Sequence, residues 1–503
     1  MDFTPALRLY AKRRRAKLAK LDNVESQRHQ LMSLIAQAAQ TKFGRDHGFE
    51  RIKTVADYQK AVPLRRYDDF WRTYWKPAFP NVENVTWPGR VPYFAVTSGT
   101  TSGTSKYIPV THAMNRSNTK AGLDMFAHHV TARPNSRVFG GKSFMLGGST
   151  DLVLEAPDVW SGDLSGIAIK RLPFWAKQFA FPPVELALIT DWEEKVSRLA
   201  KLAAETDIRV LTGAPPWLLI LFDKQQANAG RVMTARELYP NLEMLVHGGV
   251  NFKPYRARFE QFLNGGAELR EVYPASEGFI ALQDETPDDG LRLLTDTGLF
   301  YEFVPLDELD SENPTRHWLG NVETGVNYAI VLSTCAGCWG YVIGDTVRFV
   351  SKNPPRLFIT GRTSYMMSAF GEHLIGEEVE DAVTRAAATH KLTINDFSMG
   401  AVFPEKQNDL GGHLFVVEFD PVPNADAVQK FAAAIDERLS TLNDDYRAHR
   451  AEGFGLKAPE VRPVPPGTFA QWMKSRGRLG GQNKVPRIIN DQAVFETLVR
   501  LTR

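Results

Sequence analysis

Residues 97–111, TSGTTSGTSKYIPVT, constrain this chain more than any other stretch: a hydroxyl-rich, glycine-punctuated turn with one lysine, set directly after the apolar run Val91–Val96. Gly99 and Gly103 admit positive φ and let successive N–H groups converge on one anion, and Ser98, Thr100, Thr101, Ser102, Thr104 and Ser105 add hydroxyl donors. Lys106 supplies a compact positive charge. The spacing downstream predicts a helix over 112–130, whose N-terminal dipole would favour a polyphosphate. The stretch reads as a phosphate cradle between a strand and a helix. It is not a Walker A loop, because the lysine arrives as Thr-Ser-Lys and not as Gly-Lys-Ser/Thr, which disfavours an ordinary P-loop kinase or GTPase. A flexible Ser/Thr/Gly linker needs neither the lysine nor the flanking elements.

The 503 residues, 43% hydrophobic, suffice for a large core and for more than one domain or subdomain. A net charge of +2 gives no global reason to expect nucleic-acid binding. No apolar run approaches the ~18 residues of a spanning helix, and the N-terminus lacks the apolar block of a secretory signal, so the expectation is a soluble, cytoplasmic protein. Arg8, Lys12, Arg13, Arg14, Arg15, Lys17 and Lys20 fall on one N-terminal helix with a loose stripe of Phe3, Leu7, Leu9, Tyr10, Leu18 and Leu21. The stripe is expected to dock on the body and the basic face to be solvated, with contact to a membrane or RNA as the second reading. The only cysteines, Cys335 and Cys338, form a lone CxxC with no partner pair to complete a tetrahedral metal set. They lie where two strands meet at a tight turn and are read as small, reduced hydrophobes.

Along the chain, strands run repeatedly into glycine-bearing loops. Residues 209–222 read as strand, Gly-Pro turn and a helix entered through proline; 242–246 as a strand ending at Gly248-Gly249; 268–273 as a strand entering Pro274-Ala275-Ser276-Glu277-Gly278. Such transitions fit an α/β architecture with a ligand crevice beyond the strand ends. β-Rich stretches follow at 299–305, 327–334, 340–350 and 356–362, after which the texture changes to helices over 372–388 and 426–442 around a strand at 413–419. A boundary near Arg362–Thr363 divides residues 1–362 from a smaller α+β domain, 363–503.

Four further pieces stand beside the cradle: YPASEG (273–278), YVIGD (341–345), Gly361-Arg362 and GGQNKVPR (480–487). In this order and spacing they resemble the adenylate-forming superfamily of acyl-CoA ligases, peptide-synthetase adenylation domains and luciferases. VPLRRY (62–67), LFYEFVPL (299–306) and NKVPR (483–487) bring the chain closest to the Gretchen Hagen family of auxin-responsive acyl acid amido synthetases. Gly340 and Val342 stand where that family usually carries arginines.

The resemblance implies a large N-terminal domain of β-sheets flanked by helices, with a small β-barrel, and a smaller mobile C-terminal α+β domain. It implies that a carboxylic acid attacks the α-phosphate of ATP to give acyl-AMP and pyrophosphate, and that an amino-acid amine then displaces AMP. Ser98–Lys106 would hold the β and γ phosphates, Glu277 would hold Mg²⁺, and Tyr273 with Gly248-Gly249 would bracket the adenine beside Ala275 and Ser276. Asp345 would accept from the ribose hydroxyls, Arg362 would approach phosphate or ribose, and Lys484 would carry charge to the α-phosphate or carboxylate. The competing readings are an acyl-CoA ligase with a thiol acceptor and a non-catalytic nucleotide-binding protein. Glu277 as a helix cap, Asp345 as a turn residue, and Lys484 and Arg487 as solvated surface charges are the bland alternatives.

Overall fold

A computed structural model describes residues 2–97, 106–147, 152–172, 174–183, 186, 189, 192–249, 252, 255–284, 286, 289–363, 366–367, 369, 372, 374–403, 410–443, 446–447, 450, 456–477 and 484–502. These residues form two units, Met1–Phe252 with Arg258–Ile359, and Lys253–Ala257 with Thr360–Arg503.

A twelve-stranded sheet organises the first unit. Ala180–Phe181, Lys142–Leu146, Ile208–Gly213, Met244–Gly248 and Glu268–Ala275 are neighbours in that order and all parallel. Val210, Leu211, Met244, Leu245 and Val246 are all buried, the two-sided burial that crossover helices impose on a parallel sheet. One crossover is the helix Pro215–Ala229, opened by proline in its first turn and closed by Gly230 in the left-handed region. At Ala275 the chain reverses through Ser276 and Glu277 into the antiparallel strand Gly278–Leu282. The sheet continues through Leu291–Leu293, Pro355–Arg362 and Tyr341–Lys352, and ends in the antiparallel neighbours Asn327–Thr334, Leu299–Pro305 and His317–Trp318.

A second, four-stranded sheet orders Lys106–Val110, Tyr93–Thr97, Val159–Gly162 and Leu152–Ala156. Tyr93–Thr97 and Lys106–Val110 are antiparallel, in register from Tyr93 opposite Val110 to Thr97 opposite Lys106. The expected order of strand, cradle and helix is therefore corrected. Lys106–Val110 is itself a strand, and the helix His112–Ala132 begins only after Thr111, whose hydroxyl accepts from Met114 N at 3.1 Å. Five strand residues at ~3.4 Å each carry the helix start about 17 Å along the chain from Thr97's partner, so its dipole does not open directly from the loop. Pro109 disguised the strand in sequence; it sits opposite Phe94 on an edge strand, where its missing N–H costs no ladder bond.

Aromatic packing holds the antiparallel side. The Phe43 ring stacks on His47 at 4.0 Å and lies 5.0–6.0 Å from Phe49, Phe70, Tyr74 and Trp339. Trp75 and Trp339, both fully buried, satisfy their indole N–H groups on Thr86 Oγ1 (3.1 Å) and Thr86 O (2.9 Å). Cys335 and Cys338 are buried free thiols in this core, and burial pushes Cys335 up to about 12 and Cys338 higher still, which keeps both protonated.

The second unit has a four-stranded sheet ordered Glu460–Val464, Gly412–Phe419, Ile394–Val402 and Ile488–Ile489. Alternation along Gly412–Phe419 sends Phe415, Val417 and Phe419 to a core with helices Gly376–His390 and Ala425–Leu442, and Leu414 and Val416 to a core with Thr468–Ser475 and Gln492–Arg500. Among the described residues no helix is long and apolar enough to cross a membrane.

The N-terminal helix, Thr4–Leu18, docks through Leu7 and Ala11 as expected, but Leu9 is exposed and Arg14, placed on the solvated basic face by sequence, is buried. Arg14 binds Asp124 Oδ2 at 2.6 Å and Asp296 Oδ1 at 2.7 Å, with Lys120 Nζ 3.1 Å from Asp296. Burial alone would raise the Asp296 carboxyl, yet hydrogen bonds and charge from Arg14 and Lys120 hold it far below the usual range. A carboxyl depressed by folding contributes stability above its unfolded value of ~3.9, and that contribution is lost as pH falls. Arg14→Met, which takes the guanidinium away from two buried carboxylates, should cost about 3–5 kcal/mol at neutral pH; denaturant titrations should show the deficit shrinking below pH ~4, where the Asp296 carboxyl, no longer held by Arg14, takes up a proton.

Candidate functional site

The site forms where the sheet changes from parallel to antiparallel, beyond the C-terminal ends of Met244–Gly248 and Glu268–Ala275, the position a ligand crevice takes in α/β sheets. Ser276 and Glu277 are the two residues of the hairpin turn closed by Ala275 opposite Gly278. Beside them Gly248 pairs with Val272, and a Cβ on Gly248 would lie 2.3 Å from Val272 O, so only glycine keeps this strand end so close to its neighbour. Gly249 follows at φ 82°.

Asp345 reaches the same place through an irregularity in the antiparallel ladder. Ala329 pairs with Thr346 and Val331 with Val342, so Ile343, Gly344 and Asp345 bulge out opposite one residue, Ile330. A bulge bends the strand and re-aims its side chains. Tyr273 Oη then donates to Asp345 Oδ2 at 2.7 Å, tying the last parallel strand to the bulge.

Glu277 is 9% exposed. Burial raises its carboxyl above the usual value and the charge of Asp345 raises it further, against Lys106 and a hydrogen bond from Tyr341. The Tyr341 phenol is in turn pushed well above its ordinary value by burial and by the Glu277 charge. Lys106 stands on its strand opposite Thr97, with Nζ 5.6 Å from the centroid of Tyr67, and Tyr67 Oη accepts from Tyr107 N at 2.9 Å.

The structure thus gathers Lys106, Tyr273, Glu277 and Asp345, with Gly248, Gly249, Ala275 and Ser276 on the adjoining strand ends. Ser98, Gly99, Thr100, Thr101, Ser102, Gly103, Thr104 and Ser105 lie outside the described residues; Thr97 and Lys106 frame them. Arg362, half-buried at the end of its strand, and Lys484, exposed, belong to the second unit. The surface-charge reading of Arg487 is overturned. It is 8% exposed, donates Nε to Glu380 at 3.0 Å, Nη1 to Asp396 and to Phe397 O, and Nη2 to Tyr255 Oη at 3.1 Å. Lys484 is therefore followed within three residues by a side chain locked into its own unit.

Sequence reasoning missed Tyr341 and Tyr67. Both lie inside motifs quoted for their resemblance, YVIGD and VPLRRY, and a tyrosine in a motif otherwise built of apolar and charged residues was the available signal.

A carboxyl raised by folding favours the fold below its unfolded value of ~4.3 and loses that contribution as pH climbs through the raised value. Glu277→Gln, neutral and isosteric, should therefore melt above the parent protein at pH 8 when no ligand is present, and the gap in thermal midpoint should close near pH 4.

The GH3 family N-terminal domain matches residues 13–151, its central domain residues 292–362 and its C-terminal domain residues 377–493. Indole-3-acetic acid-amido synthetase GH3.8 of Oryza sativa subsp. indica is 26% identical over 262 residues, 47% of this chain and 42% of that protein. Jasmonoyl--L-amino acid synthetase GH3.5 of Oryza sativa subsp. japonica is 26% identical over 279 residues, 50% of this chain and 46% of that protein. The matched part thus spans less than half the length of either relative. The solved AtGH3.15 acyl acid amido synthetase in complex with 2,4-DB superposes with a TM-score of 0.80 at 17% identity over 96% of this chain and 95% of its own. A 2-hydroxyisobutyryl-CoA ligase in its postadenylation state superposes with 0.63 at 16% identity over 94% and 90%. At these identities the likeness is one of fold. With all three of its domains matched in order over about two thirds of the sequence, the chain belongs to the GH3, or Gretchen Hagen, family.

Proposed function

We propose that this protein is an ATP-dependent acyl acid amido synthetase. A substrate carboxylate oxygen attacks the α-phosphorus of ATP, the bond to the β-phosphate oxygen breaks, and acyl-AMP and pyrophosphate form. An amino-acid amine then attacks the acyl carbon, AMP leaves with the bonding pair, the nitrogen sheds a proton, and an amide remains. The observation that carries this reading is the joining of Tyr273, Glu277, Asp345 and Lys106 at the strand ends. Family membership and the names of the relatives, acid-amido and amino acid synthetases, support it.

In this reading Asp345, held by Tyr273, accepts hydrogen bonds from the ribose hydroxyls, and the glycine pair at 248–249 leaves room for the adenine against backbone. Lys106 and the loop before it take the β and γ phosphates and stabilise charge as pyrophosphate departs. Lys484 and Arg362, both from the second unit, supply positive charge to the α-phosphate region. The donor set fits Mg²⁺: Glu277 is a buried carboxylate whose proton affinity is raised by burial and then by the neighbouring charge of Asp345. Among the described residues no group of three or more His, Cys, Asp or Glu side chains would hold a metal alone, as suits an ion bound by one carboxylate plus substrate phosphates. When bound, Mg²⁺ would neutralise phosphate charge.

The fold likeness to a CoA ligase keeps a thiol acceptor as the second reading. Hydroxylamine trapping should yield a hydroxamate from the activated acid, and an acceptor panel should then give amides with amino acids. Thioester with coenzyme A and no amide with any amino acid would replace the reading with the CoA ligase.

Lys484→Ala should slow adenylation on the order of 10²–10³-fold, the scale of one lost transition-state charge contact, while leaving ATP affinity by calorimetry nearly unchanged. Asp345→Asn should instead weaken ATP binding about tenfold, because a charged hydrogen bond made to the ribose exists before as well as during the reaction.

A further inference from the structure

A cleft of about 420 Å³ opens in the first unit away from the site above. It lies between the C-terminal ends of helices Thr4–Leu18 and His112–Ala132 and the segments that follow strands Gly278–Leu282 and Tyr341–Lys352. Asp284, on its wall, follows the strand that runs back from the Ser276–Glu277 turn, which places the cleft at the opposite ends of the strands from Glu277 and Tyr273. Its size is that of sites that enclose small organic molecules.

Its polar wall is unevenly charged. Asp284 is the one acidic side chain lining it, and its carboxylate, 2% exposed, is already bound by Arg292 Nη1 at 3.2 Å and by two nitrogens of Arg356. It has nothing left for a cation. Arg292 also lines the cleft, and Arg15 projects into it from the exposed face of the N-terminal helix. His128 lines it too and makes no hydrogen bond with any described residue. The remaining wall includes apolar Leu18, Leu21 and Pro354.

We propose that this cleft binds a small organic carboxylate, its anionic head between Arg15, Arg292 and His128 and its apolar body against Leu18, Leu21 and Pro354. The cations outnumber the single, already neutralised carboxylate, and a neutral imidazole offers an N–H donor. Burial holds His128 down to about 4; Asp284 and Asp124 oppose the shift, and Arg292 and Arg270 reinforce it. An anion placed between Arg15 and Arg292 adds negative charge beside that ring, so binding raises the His128 pKa and draws in a proton as pH falls. The site is independent of the proposed synthetase chemistry, since it shares no residue with it.

The test is a benzoate titration of the full chain labelled in histidine, with the His128 ring resonance identified by its loss in His128→Gln. Saturable movement of that resonance, a higher His128 midpoint with benzoate present, and about tenfold weaker binding in Arg15→Gln, the scale of one charged hydrogen bond, are expected. Arg15 is exposed, so its replacement leaves the fold intact. Benzoate bound in an acyl pocket at the other strand ends leaves this resonance still, which separates the two sites. A resonance unmoved at tens of millimolar benzoate, or equal affinity in Arg15→Gln, overturns the proposal. Inorganic phosphate binding as tightly as benzoate overturns the assignment to an organic acid.

Discussion

Two carboxylates held near one another, one of them buried, are what the rest of this site answers to. Desolvation raises the cost of ionising Glu277, and the charge of Asp345 adds to it. The surroundings offset this only in part: Tyr341 donates to Glu277, Tyr273 donates to Asp345, and Lys106 stands by with a positive charge. A buried carboxylate with raised proton affinity, set beside a second carboxylate at the strand ends, marks a functional-site candidate.

The fold delivers the pair by two local departures from regular sheet. The parallel run ends at Ala275 and turns back within two residues, which puts Glu277 at a hairpin tip. On the antiparallel side three residues crowd opposite Ile330 and push Asp345 out of the ladder. Neither device works alone; the Tyr273 hydroxyl, 2.7 Å from Asp345, is the strut between them. Behind Tyr341, the stack around Phe43 and Trp339 supplies rigid packing.

Much of this was legible in the sequence. The strands at 208–213, 244–248, 268–275 and 299–305 were announced by apolar runs ending at glycine or proline, and the motif YPASEG placed its glutamate correctly at a turn. Less legible were features that depend on partners distant in sequence. Lys106–Val110 was hidden because proline argues against a strand unless an edge position is known. Arg14 reads as one more charge on a basic helix until Asp124 and Asp296 arrive from more than a hundred residues away. Arg487 likewise looks like a solvated charge near a C-terminus, and only the fold of the second unit brings Glu380, Asp396 and Tyr255 around it. Tyr341 and Tyr67 owe their roles to Glu277 and Lys106, so no local pattern assigns them.

The central claim is that this carboxylate pair and its lysine serve attack of an acid on ATP. Exchange of radiolabelled pyrophosphate into ATP, followed across a broad panel of carboxylic acids, tests that step without any acceptor. The account predicts exchange that depends on a particular class of acid and disappears in Glu277→Gln. Absence of exchange with every acid, or exchange undiminished in Glu277→Gln, would contradict it.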